Sequence, residues 1–213
     1  MEFQYFKDNS PKLKKIILPG EEAHYKLAPF LRLQELENLN IKEKNPNHAG
    51  VMAVFYPDER KNVRFVLILR KTYQGVHSNQ VGFPGGRVEE TDLNLMQTAL
   101  RETEEEVGIP QQEITVLKEL TQIYIPPSNF YVFPFLGIMN KTPKLIAQEE
   151  EVEAVLEIDL DDFLSDSCLI KRTLSTSYAK NIEVPAFFLN EQVVWGATAM
   201  ILSEMKDVLK QVL

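Results

Sequence analysis

The run RETEEEVGI, residues 101 to 109, sets four glutamates among five consecutive positions and then stops at a glycine. It follows closely on GFPGGRVEE, residues 82 to 90. On a helix, Glu102 and Glu106 are four residues apart and lie about 40° from each other, with Glu105 about 60° from Glu102. Met96, Leu100, Thr103 and Val107 form a separate stripe suited to a core. Three carboxylates are thus expected on one flank of a helix whose other flank is buried. A glutamate run is most often a solvated face. Two penalties weigh against that here: like charges four residues apart repel, and the helix macrodipole disfavours anions in a last turn. A hard divalent cation, Mg²⁺ or Mn²⁺, would relieve both, since it prefers carboxylate oxygens and water. The preceding FPGG could bring a backbone carbonyl to the same ion, because glycine allows close approach.

The elements that must position these groups follow from periodicity. A helix is predicted from about Leu93 to Val107, capped by Thr91 or Asp92 and ended by Gly108 in a left-handed conformation. VMAVFYP and VRFVLILR read as strands joined by the hairpin-like DERKN, and KEKNPNHAG before them as a polar connector. Further strands are expected at ITVLKEL, TQIYIP, YVFPFLGIM (with an irregularity at Pro134), AVLEIDL and VPAFFL. EEAHYKLAPFLRLQELENLN suggests one or two short amphipathic helices, and VVWGATAMILSEMKDVLKQVL a closing helix. The order is that of a mixed α+β sandwich with one helix placed early among strands, not a regular βαβ alternation.

Composition sets the outer bounds. The chain has 213 residues, 44% hydrophobic and 25% charged, enough for one domain with a core. A net charge of −8 argues against a nucleic-acid partner, whose phosphates call for Lys and Arg. A phosphate-bearing small molecule remains open, with metal ions to screen the repulsion. One cysteine, Cys168, excludes an internal disulfide and fits a reducing compartment. Neither a secretory leader nor a membrane span is legible, so a cytoplasmic location is expected. His24 and His48 lack metal-ligand spacing, Cys168 reads as packing, and Trp195 with Gly196 as a close approach of the last helix.

Gly86, Arg101, Glu102, Glu105, Glu106, Gly108 and Ile109 resemble the Nudix box, Gly-x5-Glu-x7-Arg-Glu-hydrophobic-x-Glu-Glu-x-Gly-hydrophobic. Thr103 replaces the usual aliphatic residue. Asp92 stands where the first Glu is expected, and eight residues rather than seven separate it from Arg101. The lead-in LILRKTYQGVHSNQVGFPGG is similar to that of the coenzyme A diphosphatase-like branch, roughly LLTxRSxxxRxHxGQxxFPGG. Leu67, Arg70, His77, Gln80 and FPGG agree, while Lys71, Gly75 and Asn79 replace a serine, a basic residue and a glycine. The resemblance covers about residues 48 to 205, which implies a Nudix α/β/α sandwich with a mixed β-sheet over 48–213. Residues 1–47 would be an N-terminal helical extension packed on it, as a lid or a contact in a homodimer.

The resemblance further implies hydrolysis of a nucleoside diphosphate derivative by water, with no nucleic-acid or membrane partner. Mg²⁺ or Mn²⁺ would be held by Glu102, Glu105, Glu106 and the Gly85 carbonyl. Arg101 would orient a box glutamate through a bidentate pair, and Asp92 would be a cap or a partner of Arg101. Glu149, Glu150 and Glu151 are candidates for the base that activates water, with Glu151 preferred. Arg70, His77 and Gln80 would contact the substrate. Coenzyme A would yield 3′,5′-ADP and 4′-phosphopantetheine; ADP-ribose, NADH or a dinucleotide is the alternative substrate, and a nucleotide sensor without turnover the alternative class.

Overall fold

The computed structural model describes residues 1–29, 41–71, 80–174 and 181–213. At its centre lies an eight-stranded mixed sheet. Strand β1 (Asn47–Pro57) turns through 58–62 into the antiparallel β2 (Val63–Arg70), with Phe55 opposite Phe65. The other neighbour of β1 is β7 (Phe130–Ile138), which runs parallel to it over nine paired residues, Asn47 opposite Phe130 to Phe55 opposite Ile138. Short strands complete the sheet: β3 (Val81–Gly82) on β2, β4 (Gly85–Arg87) on β1, and β5 (Thr115–Glu119) and β6 (Ile123–Ile125) on β7. Strand β8 (Val152–Asp159) pairs with β2. A separate three-stranded sheet is made by β9 (Leu169–Leu174), β10 (Ile182–Leu189) and β11 (Gln192–Val194).

Both faces of the main sheet are buried, and the period-two alternation of β1 and β2 decides what goes where. Met52, Val54, Tyr56, Val66 and Ile68 face one side, where Ala99, Leu100 and Val107 of a helix close over them. Ala53, Phe55, Phe65 and Leu67 face the other, meeting Phe6, Leu13, Met200 and Met205. The first helix is α3 (Leu95–Val107); the second layer comprises α5 (Gly196–Lys210) and the N-terminal α1 (Phe3–Asn9) and α2 (Glu21–Tyr25). A short α4 (Leu160–Leu164) follows β8. The architecture is the expected α/β/α sandwich.

Pro134 lies in the interior of a strand with neighbours on both sides, a costly place for a residue without an N–H. Its position shows why it is accommodated. It falls opposite the break between β5, which ends at Glu119, and β6, which begins at Ile123, so no antiparallel partner asks for a donor there. The irregularity expected at Pro134 sits instead between Val116 and Lys118 of β5. Asn47 to Gly50, read as connector, belong to β1. Gly196 was expected to allow a close approach, but a Cβ there would meet nothing within 4 Å; its φ of +65° is what calls for glycine.

On the α5 face a buried carboxylate joins three segments. Glu204 Oε1 accepts hydrogen bonds from the Gly20 N–H at 3.1 Å and the Thr121 hydroxyl at 2.6 Å, and Oε2 from the Thr121 N–H at 2.8 Å. His24 Nε2 stands 3.5 Å from Oε2, beyond a well-formed hydrogen bond. Burial pushes this carboxyl up, but His24 and the two Thr121 donors outweigh it and hold Glu204 below its ordinary value. No helix among the described residues is long and apolar enough to cross a membrane.

Candidate active site

The acidic segment is helical because its two ends are satisfied. The Asn94 side chain accepts from the Gln97 N–H at 3.0 Å, and Gly108, at φ 74°, donates its N–H to the Glu104 carbonyl. The cap is thus Asn94, not Thr91 or Asp92, because the helix starts at Leu95. Leu100, Thr103 and Val107 are buried as the stripe requires, whereas Met96 is exposed, one turn before α3 reaches the core. Thr103 occupies an aliphatic's place by returning its hydroxyl to the Ala99 carbonyl at 2.6 Å.

Helix α3 is seated on glycines. A Cβ on Gly50 would overlap the Leu95 carbonyl oxygen and stand 2.9 Å from the Ala99 nitrogen. One on Gly86 would stand 2.5 Å from the Glu102 carboxylate. Gly85, at φ +147°, has the Gly50 backbone against it and donates its N–H to Glu106 Oε2 at 2.7 Å. The two glycines of FPGG therefore receive two glutamates: Glu102 lies over Gly86, and Glu106 is held by Gly85.

Two charged groupings result. In the outer one Arg101 is the hub. Its Nε and Nη2 each reach Asp92 at 3.0 Å, Nη1 lies 3.0 Å from Glu102 and 2.9 Å from Glu105, and Nη2 donates to the Arg87 carbonyl. The bidentate pair is with Asp92, not with a box glutamate as expected. The Arg101 hydrogen bonds, against a burial penalty, hold the Asp92 carboxyl down at about 2. Asp92 also accepts from the Thr98 hydroxyl and the Glu89 N–H.

The inner grouping is Glu106, Gly85 and Arg70. Glu106 is 2% exposed, and its Oε1 has no hydrogen-bond donor. Arg70 Nη1 stands 3.5 Å from that oxygen, and Arg70 Nη2 donates to the Gly85 carbonyl at 2.9 Å. Burial pushes the Glu106 carboxyl up to about 7, opposed by Arg70 and the Gly85 N–H and assisted by Glu102 and Glu151. Glu102 is also raised, first by burial, with Arg101 opposing and Glu105 and Glu151 adding.

Glu151 therefore belongs to the same electrostatic field as Glu102 and Glu106, and its position has a structural cause. The segment before it is fastened to the end of α3: the Ile146 N–H donates to the Val107 carbonyl and the Gln148 N–H to the Glu106 carbonyl, both at 3.0 Å. Gln148 then accepts the Glu151 N–H on its side-chain oxygen at 2.8 Å. Beyond it, the Lys71 N–H donates to the Glu151 carbonyl.

The sequence-expected residues thus divide. Gly85, Glu106 and Arg70 form the inner grouping, Glu102 and Glu151 act on the Glu106 carboxyl by charge, and Gln80 adjoins by accepting the Arg70 N–H on its carbonyl at 3.0 Å. Glu105 does not join them; it turns outward to Arg101 and is exposed. Among the described residues, no three acidic, histidine or cysteine side chains close on one point; the carboxylates are partnered by arginines instead, Glu106 by Arg70 and Glu102 with Glu105 by Arg101. His77 lies outside the described residues. Gly50 and Gln148 escaped the sequence reading. A lone glycine entering a strand pattern was a usable signal for the first; nothing in the sequence marked the second.

Comparison with known proteins identifies the family. A profile for the NUDIX domain matches residues 46–175. The chain is 32% identical over 161 residues to an uncharacterized Nudix hydrolase NudL of Yersinia enterocolitica, covering 76% of this chain and 80% of the relative. With the protein of the same description in Pectobacterium atrosepticum it is 34% identical over 140 residues, covering 61% and 66%. The Nudix hydrolase RenU of M. smegmatis is similar in structure, with a TM-score of 0.53 at 11% identity over 79% of this chain and 88% of that one. A MutT/nudix family protein of Enterococcus faecalis aligns with a TM-score of 0.50 at 19% identity, over 86% and 68%. With box helix, glycine seat and family profile in agreement, the chain belongs to the Nudix family of hydrolases.

Proposed function

We propose that this chain is a metal-dependent pyrophosphatase of coenzyme A or its thioester derivatives, releasing 3′,5′-ADP and 4′-phosphopantetheine. The observation that carries the metal dependence is Glu106: a buried carboxylate with one oxygen lacking any donor, beside a backbone carbonyl. That donor set of hard oxygens fits Mg²⁺ or Mn²⁺. Glu102, Glu105, Glu106 and the Gly85 carbonyl would hold the ion, with Glu105 leaving its exposed pair with Arg101 to do so. When bound, a divalent ion supplies charge neutralisation for adjacent phosphates and lowers the pKa of a coordinated water.

The remaining work falls to the chain's own residues. Arg101, fixed by Asp92, holds Glu102 in orientation over Gly86. Glu151 accepts the proton of the attacking water, so that hydroxide adds to one phosphorus as the bridging oxygen departs with the other phosphate. Arg70, Gln80 and His77 contact the substrate. The coenzyme A assignment is supported by the FPGG lead-in and the residues 48–205 that resemble that branch. The Gly75 replacement of a basic residue favours a second reading, another nucleoside diphosphate derivative such as ADP-ribose, NADH or a dinucleotide.

The test is to incubate the protein with Mg²⁺ or Mn²⁺ and a panel of these diphosphates, then separate the products. Release of 3′,5′-ADP from coenzyme A, abolished in Glu106→Gln, is the expected result. Cleavage of another panel member alone would move the substrate. Metal-dependent binding with no cleavage would make the chain a sensor.

A further inference from the structure

Arg70 ends β2 where the strand pairing slips. Leu69 faces Ala154 and Arg70 faces Val152, so Glu153 is the extra residue of a bulge. Bulges commonly re-aim the side chains beside them. The Arg70 N–H is fixed to the Gln80 carbonyl at 3.0 Å, which anchors the backbone from which the side chain departs. The guanidinium is thereby aimed inward, at the Gly85 carbonyl (2.9 Å) and Glu106 Oε1 (3.5 Å), with a quarter of its side chain exposed. A planar fork suits this task because its two Nη atoms address two acceptors at once.

These two oxygens are the ones assigned above to a divalent ion. Carboxylate oxygens hold Mg²⁺ at about 2.1 Å. With an Arg70 nitrogen 2.9 Å from the Gly85 oxygen, the two cations would be separated by no more than roughly 5 Å, where like charges in a partly buried site repel strongly. Both cannot hold these oxygens at full strength.

We propose that Arg70 is a resident counter-cation that competes with the divalent ion for Glu106 and Gly85, and that ion loading turns its guanidinium toward the substrate's phosphates. The inference rests on the metal-centre reading and adds an order of events to it. Competition is reciprocal: a polyphosphate that draws Arg70 away must tighten ion binding by the same factor that the ion tightens polyphosphate binding.

The experiment is calorimetric titration of Mn²⁺ alone into the full chain, as wild type, Arg70→Gln, Arg70→Lys and Glu106→Gln. Removing the competitor in Arg70→Gln is expected to tighten Mn²⁺ binding by about tenfold, the usual scale of coupling between sites, with Arg70→Lys in between. In wild type, the Arg70 Nε–H resonance, assigned by its loss in Arg70→Lys, is expected to shift as Mg²⁺ is added. Unchanged or weaker Mn²⁺ affinity in folded Arg70→Gln overturns the proposal. Should that variant not fold, an Arg70 resonance indifferent to saturating Mg²⁺ overturns it instead. If wild type binds no Mn²⁺, or Glu106→Gln binds it equally well, the metal-centre reading falls; if binding is lost in Glu106→Gln but indifferent to Arg70→Gln, only this inference falls.

Discussion

Two buried glutamates on opposite faces of one sheet invite comparison. Glu204, on α5, has both oxygens occupied: Thr121 donates twice, Gly20 once, and His24 stands close by. Glu106, on α3, receives one backbone donor on Oε2 and none on Oε1. Burial opposes ionisation of both, yet the first is held below its ordinary value and the second is pushed up to about 7. A buried charge that is fully hydrogen-bonded ties segments together; one left short of donors is available to something else. The fold thus separates a carboxylate that ties segments together from the one proposed to hold a cation by how many donors surround each.

The comparison is broken most severely by exchanging consequences. Glu106→Gln keeps the size of the side chain but removes the charge that would hold a cation. Activity in Mg²⁺ is expected to fall about a thousandfold in kcat/KM, equivalent to ~4 kcal/mol, with the fold retained by circular dichroism. Glu204→Ala should do the reverse. It leaves the Gly20 and Thr121 donors unpaired in the interior and removes the charge beside His24, at about 3 kcal/mol of stability measured by urea unfolding. The turnover number of the protein that remains folded should be unaltered. Equal damage to activity from both variants would abolish the distinction.

Acidity sharpens it, because the two groups act with opposite sign. In chelator, Glu106 titrates near 7 in the folded protein, against 4.5 for an ordinary glutamate. Between these values the folded chain binds more protons than the unfolded one, so this contribution is fully present below 4.5 and lost as pH rises through 7. The total is about 3 kcal/mol at 1.36 kcal/mol per unit, and the slope should vanish in Glu106→Gln. Glu204, with its lowered value, contributes stability that is present above the ordinary glutamate range and lost as pH falls through its folded-state value. Unfolding curves of the two variants across pH 3 to 8 separate them. The smallest expected effect belongs to the outer grouping. Asp92→Asn weakens the support of Arg101 without touching Glu106, and Mn²⁺ affinity should fall about tenfold, as is common when an outer partner of a ligand is lost.

Much of the candidate site was legible in the sequence, because it is local. Glycine spacing, the run of glutamates and the Thr103–Val107 stripe all lie within one helix and the turn before it. The Asp92–Arg101 pair was one of two roles foreseen for Asp92; the other fell to Asn94, because the helix starts at Leu95 and leaves Asp92 two residues before the cap position. What could not be read depends on chain crossings. Arg70 reaches Gly85 and Glu106 only because β2 and β4 both lie against β1, and Glu204 reaches Thr121 and Gly20 across 83 and 184 residues. Strands β3, β4 and β11, two or three residues long, are too short to show alternation. Helix α1 was invisible because its two buried positions, Phe3 and Phe6, supply less than one full stripe.

The seating of α3 on Gly50 has a mechanical consequence. Where the Leu95 carbonyl would overlap any methyl group, the backbone of β1 acts as a hard stop, and the standoff between helix and sheet is fixed at the smallest value chemistry permits. A single alanine at residue 50 would work as a shim under one end of a lever. Lifting α3 at Leu95 would swing its far end, and with it the Gln148 segment bolted to Glu106, relative to the β4 turn. The tolerance of this candidate site is therefore machined some distance from the carboxylates proposed to act in it, by a residue that has no side chain with which to touch them.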